Sequence, residues 1–303
     1  MGDRARMTTS LVAVDWGTTN CRAFRIGAGG QILEKRANAM GILAVKNANF
    51  PGALADLARD WIDTPAAPPV LMCGMIGSAQ GWVEAPYVPL PAGLDELGAH
   101  LATAPDPRRA IHVVPGLRGM GAAGPDVMRG EETQIVGTGI ADGVICLPGT
   151  HSKWAVIEGG RIVRFITFMT GEVFSILRRN SILGRLMVEA PHDPAAFARG
   201  LVRCQAAGGL LHQLFTVRTA GLLEGLSKEA APSFLSGLLI GHEMAAVKEQ
   251  LAPKSATVVG AGALAQNYAI AMNVAGIEAG FVPGEDASAR GLYAVARAAG
   301  LVR

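Results

Sequence analysis

The stretch Leu11–Ile26, LVAVDWGTTNCRAFRI, decides how the rest of this chain is read. A short apolar run enters Asp15. Gly17, Thr18, Thr19 and Asn20 follow, and a second apolar-rich run, Arg22–Ile26, leaves. The pattern predicts strand, tight turn, strand. The turn has two readings. It is an ordinary hairpin with a polar tip, or it is an anion cradle. In the second reading Gly17 admits close backbone approach, while threonine hydroxyls and N–H groups surround phosphate oxygens. Asp15, at the end of the strand, suits a hydrated Mg2+, which takes one or two carboxylates plus water and phosphate oxygens. These residues alone leave both readings open.

A second copy favours the cradle. Val144–Ile157, VICLPGTHSKWAVI, places Gly149-Thr150 where Gly17-Thr18 stands, at an offset of 132 residues. Each copy continues through a glycine pair into a third strand, Gln31–Arg36 in the first and Arg161–Phe168 in the second. Self-similarity at a fixed offset marks a duplicated unit. Asp15 is matched by Leu147, so only the first loop offers a carboxylate. The expectation is two related α/β domains facing each other, with one nucleotide between the two loops.

The gross numbers are compatible. At 303 residues one or two domains are expected, and half the residues are apolar. A formal net charge of +2, without a run of like charge, argues against a nucleic-acid surface. Cys21, Cys73, Cys146 and Cys204 show no CxxC spacing, which suits buried thiols in a reducing compartment. The start, MGDRARMTTS, lacks a signal peptide's apolar core and a myristoylation pattern, and no 18-residue apolar stretch occurs. A cytoplasmic protein is expected.

Along the chain, Gly52–Ile62 carries Leu54, Leu57, Ala58, Trp61 and Ile62 at helical spacing, with Trp61 as packing. The segment 64–69 breaks the pattern, and Val70–Cys73 reads as a buried strand. Gly74–Trp82, GMIGSAQGW, is a glycine-rich loop: a plain connection or a small-molecule contact. Glu84–Pro91 is extended, Asp95–Leu101 a short helix, Ile111–Val114 a strand and Pro115–Pro125 a glycine-rich loop. Within Asp126–Ala141, DVMRGEETQIVGTGIA, Glu131 and Glu132 sit in the first turn of a helix, where the macrodipole favours anions, and the element crosses between the domains. Ile135, Val136 and Ile140 are its inner face.

In the second half, Thr170-Gly171-Glu172 precedes the basic pair Arg178-Arg179, and Pro194–Leu223 reads as largely helical. Pro232 starts a helix with Phe234, Leu235, Leu238, Leu239 and Ala245 inward. His242 in it is a structural polar contact before it is a base. Thr257–Gly260 is a strand, and Ala287–Ala299 a last helix. Gly260–Ala265 matches GxGxxA after a strand. That is the dinucleotide fingerprint. It starts too near the end of this sequence for a whole nucleotide-binding half, and a glycine turn opening a helix equally suits an adenosine. The sequence has no GxxxxGK[ST], no HExxH and no GxSxG, which excludes the P-loop, zincin and hydrolase patterns.

DWGTTNCRAF, GMIGSAQGW, MRGEETQ, PGTHSKW, MTGE and FLSGLLIG, in that order, resemble the 2-dehydro-3-deoxygalactonokinase family over nearly the whole chain. The resemblance implies the sugar kinase/Hsp70/actin ATPase fold (ribonuclease H-like). Its two domains each hold a mixed five-stranded sheet: 1–140 with the terminal helix 287–303, and 141–286. It implies ATP- and Mg2+-dependent phosphorylation of 2-dehydro-3-deoxy-D-galactonate on its 6-hydroxyl, in galactonate catabolism. The gluco epimer, another small sugar acid, or a nucleotide-gated binding protein are the alternatives.

By the same resemblance Asp15 holds the metal through water, and Gly17, Thr18, Thr19 and Asn20 form the first phosphate loop. Gly149, Thr150, His151, Ser152 and Lys153 form the second, and Gly260 and Gly262 the adenosine motif. Gly130-Glu131 stands where related sugar kinases carry a Gly-Asp base, so Glu131 or its neighbour Glu132 is the expected base. Arg22 and Arg129 are candidates for the substrate carboxylate, as is Lys153. Gly74, Met75, Gly77 and Ser78 would shape the sugar-acid pocket. A small sugar acid is the expected partner, with a second copy of the chain left open.

Overall fold

The computed structural model describes residues 8–65 and 68–303. Most of the N-terminal stretch read for targeting signals, residues 1–7, lies outside them, as do two residues of the 64–69 break. The first strands are β1 (Thr9–Trp16), β2 (Cys21–Gly27) and β3 (Ile32–Asn38). Leu11, Val12, Ala13 and Val14 of β1 are all fully buried. A continuous apolar run of this kind marks a strand covered on both faces. β1 runs antiparallel to β2, with Asp15 opposite Arg22, and the outer strand β3 is largely polar.

Helix α1 (Phe50–Ile62) follows, its first turn capped by Asn49 Oδ1, which accepts from Gly52 N at 3.1 Å. All five of its expected inward residues are buried. Trp61 packs in the core, and the Arg36 guanidinium lies 4.2 Å over its ring. The chain then forms β4 (Val70–Cys73), β5 (Tyr87–Pro89), α2 (Leu94–Ala99), β6 (Ala102–Thr103) and β7 (Ile111–Val113). β4 lies parallel to β1, which brings Cys73 level with Asp15.

Two expectations fail in the next stretch. Residues 115–125 do not form a loop. They build most of a hairpin, β8 (Gly116–Gly121) and β9 (Gly124–Met128), that joins β5 in a three-stranded sheet. The glycines that suggested a loop mark close approach instead: a Cβ on Gly116 would meet the Tyr87 ring at 2.6 Å. Nor does the helix within 126–141, which starts at the acid pair as expected, bury its whole expected inner face. Gly130 takes φ +108, so α3 (Glu131–Gly137) starts only after it. Ile135 is buried there, whereas Val136 and Ile140 are only half-buried.

The remaining elements are β10 (Gly143–Leu147), β11 (Ser152–Glu158), β12 (Arg161–Phe168), α4 (Thr170–Asn180), α5 (Pro194–Arg203) and α6 (Gly209–Leu223). Then come α7 (Ala231–Gln250), β13 (Ser255–Gly260), α8 (Gly262–Val274), β14 (Glu278–Pro283) and α9 (Gly284–Ala298). The segment 194–223 is thus two helices, parted near Gly208 at φ +108. Gly237 of the FLSGLLIG stretch lets α7 touch α5, since a Cβ there would lie 2.1 Å from Phe197 O. Ala245 is exposed, not inward; Met244 and Val247 take the inner face. Cys204 is half-buried, while the other three thiols are buried.

The two large sheets repeat one order. The first is β3-β2-β1-β4-β7-β6 and the second β12-β11-β10-β13-β14. The first has six strands because the short β6 extends its edge, one more than expected. By internal contacts the chain divides into a unit of residues 1–143, 155–166 and 282–303 and a unit of residues 144–154 and 167–281. The first has its core between β1, β4 and α1, around Val14, Trp16, Leu54 and Met72. The second packs Trp154, Val258, Tyr268 and Met272 around its sheet, with a further apolar layer among α4–α7. Among the described residues no helix is long and apolar enough to cross a membrane.

Candidate functional site

In the first unit the functional candidates collect at the carboxyl ends of β1 and β4, where open α/β sheets hold ligands. Gly17 N donates to Asn20 O at 2.9 Å and closes the turn after β1. The carbonyls of Gly17, Thr18 and Thr19 accept from the N–H groups of Ile42, Leu43 and Gly41. That fit requires a glycine at 41, whose Cβ would stand 2.3 Å from Thr18 O. With the carbonyls engaged, exposed Thr18, Thr19 and Asn20 are left to offer hydroxyl, amide and N–H groups. This is the inventory an anion needs.

Asp15 lies two residues before Gly17, near the end of β1. Its Oδ2 accepts from Ser288 Oγ at 2.9 Å, and Arg22 Nη1 lies 3.5 Å away. Ser288 in turn accepts from Gln134 Nε2 at 3.2 Å. Burial pushes the Asp15 carboxyl above its usual range, against the pull of Ser288 and Arg22. Arg22 also reaches Glu285, at 3.7 Å. Both ion pairs are long, and the arginine is about a third exposed, so it is free to turn.

The acidic pair enters through two glycine contacts. Gly74, with φ +91, has no room for a Cβ, which would lie 2.8 Å from Trp16 O. Gly130 packs against Gly74 in the same way, its Cβ position 3.0 Å from Gly74 Cα. The start of α3 is thereby pressed onto the end of β4. Glu131 is half-buried, and its Oε2 accepts from Arg129 N at 3.0 Å. Glu132 is fully buried; its Oε2 accepts from Gly130 N at 2.6 Å and its Oε1 from Thr133 Oγ1 at 2.9 Å. Burial first, then the Glu131 charge, raise the Glu132 carboxyl to about 7. Burial pushes the Cys73 thiol well up, and the charges of Asp15 and Glu132 add to it.

The raised Glu132 makes stability depend on pH. Between the ordinary 4.5 and about 7 the unfolded chain has lost this proton while the folded chain keeps it. Folded-state stability therefore falls as pH rises through that window. The full cost, on the order of 3 kcal/mol, is present above about 7. Glu132→Gln should melt with the wild type near pH 4.5 and progressively above it towards pH 8. Melting curves that stay parallel across this range would count against the assignment.

Of the remaining candidates, Ser78 Oγ donates to Met75 O at 2.7 Å within the short turn Met75–Gly77, and Gly77 is buried. Arg129 does not face an open pocket. It is 9% exposed, donates through Nη2 to Ala85 O at 2.8 Å and lies 4.2 Å over the Tyr87 ring. Among the described residues its Nη1, enclosed beside Gly77, has no hydrogen-bond partner.

The second unit repeats the device. Thr150 O accepts from Glu172 N at 2.9 Å, and a Cβ on Gly171 would lie 2.3 Å from Gly149 O. The first turn of α4 thus holds the loop carbonyls as residues 41–43 hold those of the first loop. His151 and Glu172 pair through Nε2 and Oε2. Lys153 and Ser152 are buried. Lys153 Nζ reaches His151 O at 3.4 Å, so it supports the loop from behind. Gly260 lies near Pro148, and Gly262, at φ +64, opens α8. Beside them is a cavity of about 270 Å³, lined by Gly149, Gly171, Arg178, Ser236, Leu264 and Asn267 among others. Asn267 is 9% exposed, and among the described residues its side-chain amide has no hydrogen-bond partner.

Sequence reasoning missed Ser288, Gln134, Asn267 and the role of Glu243. Glu243 had a legible signal: Leu235, Leu239 and Glu243 share the inner face of α7, and a charge there needs buried partners. His242, its neighbour, is held by Gln213, with Nε2 2.7 Å from Oε1.

The 2-keto-3-deoxy-galactonokinase family profile matches residues 15–295. The chain is 38% identical to "Probable 2-dehydro-3-deoxygalactonokinase DgoK1" of Rhizobium meliloti, over 96% of this chain and 99% of that one. It is 35% identical to the 2-dehydro-3-deoxygalactonokinase of Escherichia coli, with the same two coverages. A Sinorhizobium meliloti crystal structure, provisionally described as this kinase, superimposes with a TM-score of 0.85 at 36% identity, covering 95% of this chain and 98% of that one. Two further solved structures, each at 12% identity with TM-scores of 0.53 and 0.54, share the actin-like ATPase fold of this chain. This chain belongs to the 2-keto-3-deoxy-galactonokinase family.

Proposed function

We propose that the protein transfers the γ-phosphoryl group of ATP to the 6-hydroxyl of 2-dehydro-3-deoxy-D-galactonate. Family membership supports the substrate class. The observation that carries the chemistry is the acid pair of α3 pressed against the strand ends that bear Asp15. Phosphoryl transfer asks a protein for positioning, charge neutralisation and a proton acceptor. Glu131 is the acceptor: it is the accessible member of the pair, half-buried where Glu132 is fully enclosed. Glu132, with both oxygens bonded and no exposed surface, holds the Gly130–Thr133 turn.

Thr18, Thr19 and Asn20 bind phosphate oxygens, as do Gly149 and Thr150, and the cavity beside Gly260 and Gly262 takes the nucleoside. Arg22 meets the substrate carboxylate, and the turn Met75–Gly77 with Ser78 bounds the sugar-acid pocket. Arg129 fixes the turn before α3 against Ala85 and Tyr87. Asp15 fits Mg2+, because its carboxylate is desolvated and held by neutral donors, Ser288 and Gln134, with a loose guanidinium beside it. One carboxylate with water and phosphate is an ordinary donor set for that ion. The ion would supply charge neutralisation on the phosphates. We assign residues 1–140 with 287–303 to the sugar-acid side and 141–286 to the nucleotide side.

The test is a coupled assay with ATP, Mg2+ and both epimers of the keto-deoxy acid. Phosphorylation of the galacto acid at its 6-hydroxyl is expected. Preference for the gluco acid would move the substrate assignment, and activity on neutral hexoses alone would reject it. ADP release independent of any acceptor would point to an ATPase.

A further inference from the structure

One buried acid outside the reacting groups joins the walls of the nucleotide side. Glu243, in the middle of α7, is 2% exposed. Its Oε1 accepts from Ser152 Oγ at 2.9 Å and from Trp154 Nε1 at 2.7 Å. Its Oε2 accepts from Tyr268 OH at 2.8 Å and from Thr170 Oγ1. These four donors come from three different elements. Ser152 and Trp154 begin β11, directly after the second phosphate loop. Thr170 begins α4, whose next two residues press on Gly149 and Thr150. Tyr268 stands on α8, next to Asn267, and lines the cavity with it.

A carboxylate is the only common side chain that accepts at two oxygens and donates at neither. Here both oxygens are used twice. Burial works against the charge and raises this carboxyl, while the four donors pull it back. A buried acid in that position is stable only while the donors stay in place. Each donor is correspondingly held where Glu243 puts it.

We infer that Glu243 is a positioning residue for the nucleotide. It acts through the Gly149–Thr150 loop and α8, and sets the distance between the phosphate cradle and the nucleoside cavity. This role rests on the reading of that side as the ATP site. It makes Glu243 a determinant of nucleotide affinity rather than of sugar-acid affinity, although it touches neither ligand.

The isosteric change separates this role from bulk stability. In Glu243→Gln the amide oxygen must stay towards Trp154, because an indole N–H can only donate. The NH2 then faces Thr170 and Tyr268, whose hydroxyls must turn to accept. The expected result is an ATP KM, and a Kd for a fluorescent ATP analogue without sugar acid, raised about 5- to 50-fold, the scale of one or two altered buried hydrogen bonds. The sugar-acid KM should stay within about twofold, and kcat at saturating ATP within about threefold, the sizes expected when only ground-state nucleotide binding is weakened. Tyr268→Phe removes one contact and should move the analogue Kd in the same direction by less.

A folded Gln variant with wild-type analogue affinity would overturn the role, even if it melted earlier. So would an equal loss in every kinetic parameter, which reports a smaller active fraction. Wild-type protein that binds the analogue but does not phosphorylate the sugar acid would sink the substrate assignment and leave this inference standing. Wild-type protein that binds no nucleotide would overturn both.

Discussion

Glu131→Gln should lower kcat by about 10²- to 10⁴-fold, the usual contribution of a positioned general base. The nucleotide KM should change little. The substitution preserves the side chain's shape and its bond from Arg129 N, since an amide oxygen can accept there as the carboxylate does. What it removes is the ability to take a proton from the attacking hydroxyl. Glu132→Gln is the internal control. That residue is enclosed, and both of its bonds survive: the amide oxygen accepts from Gly130 N, and the NH2 donates to Thr133 Oγ1. If Glu132→Gln abolishes turnover and Glu131→Gln does not, the two roles are exchanged. If both retain turnover, neither glutamate is the base.

The largest stability effect is expected at the crossing of α3 and α9. A Cβ on Gly291 would lie 1.9 Å from Thr133 O, and one on Gly137 would lie 1.9 Å from Ala287 O. Both obstacles are backbone, so neither can rotate away. Gly291→Ala should therefore force the helices apart, costing about 3 kcal/mol, at the upper end of overpacking penalties. A fall in Tm of about 5 °C follows for a chain of 303 residues. Activity should fall with it, because the two helices carry Glu131 and the Ser288 that holds Asp15. A melting temperature within 2 °C of wild type would show that the crossing is looser than described.

Legibility in the sequence followed how local each signal was. The strand–turn–strand units read correctly because their period and glycines lie within sixteen residues, and because the unit occurs twice. Residues 116–128 were misread for a physical reason. Glycine in a strand and glycine in a loop look alike until the Tyr87 ring, about thirty positions earlier, is seen across the backbone. The acid pair could be named but not sorted. Which glutamate is buried depends on Gly74 and Gly130 meeting, and each glycine alone is ambiguous. Ser288 was out of reach. Its partner Asp15 is 273 residues away, and a serine between two alanines carries no local mark.

Helix α9 also has a consequence in time. It is made after residues 144–281, yet it packs on β1 and α3 and brings Ser288 to Asp15. The first unit is thus closed by a helix made after the whole of the second. While residues 144–281 are being made, β1 and α3 wait with an uncovered apolar face. A nascent chain of this design depends on the speed of translation, or on a chaperone, for longer than the order of its domains suggests.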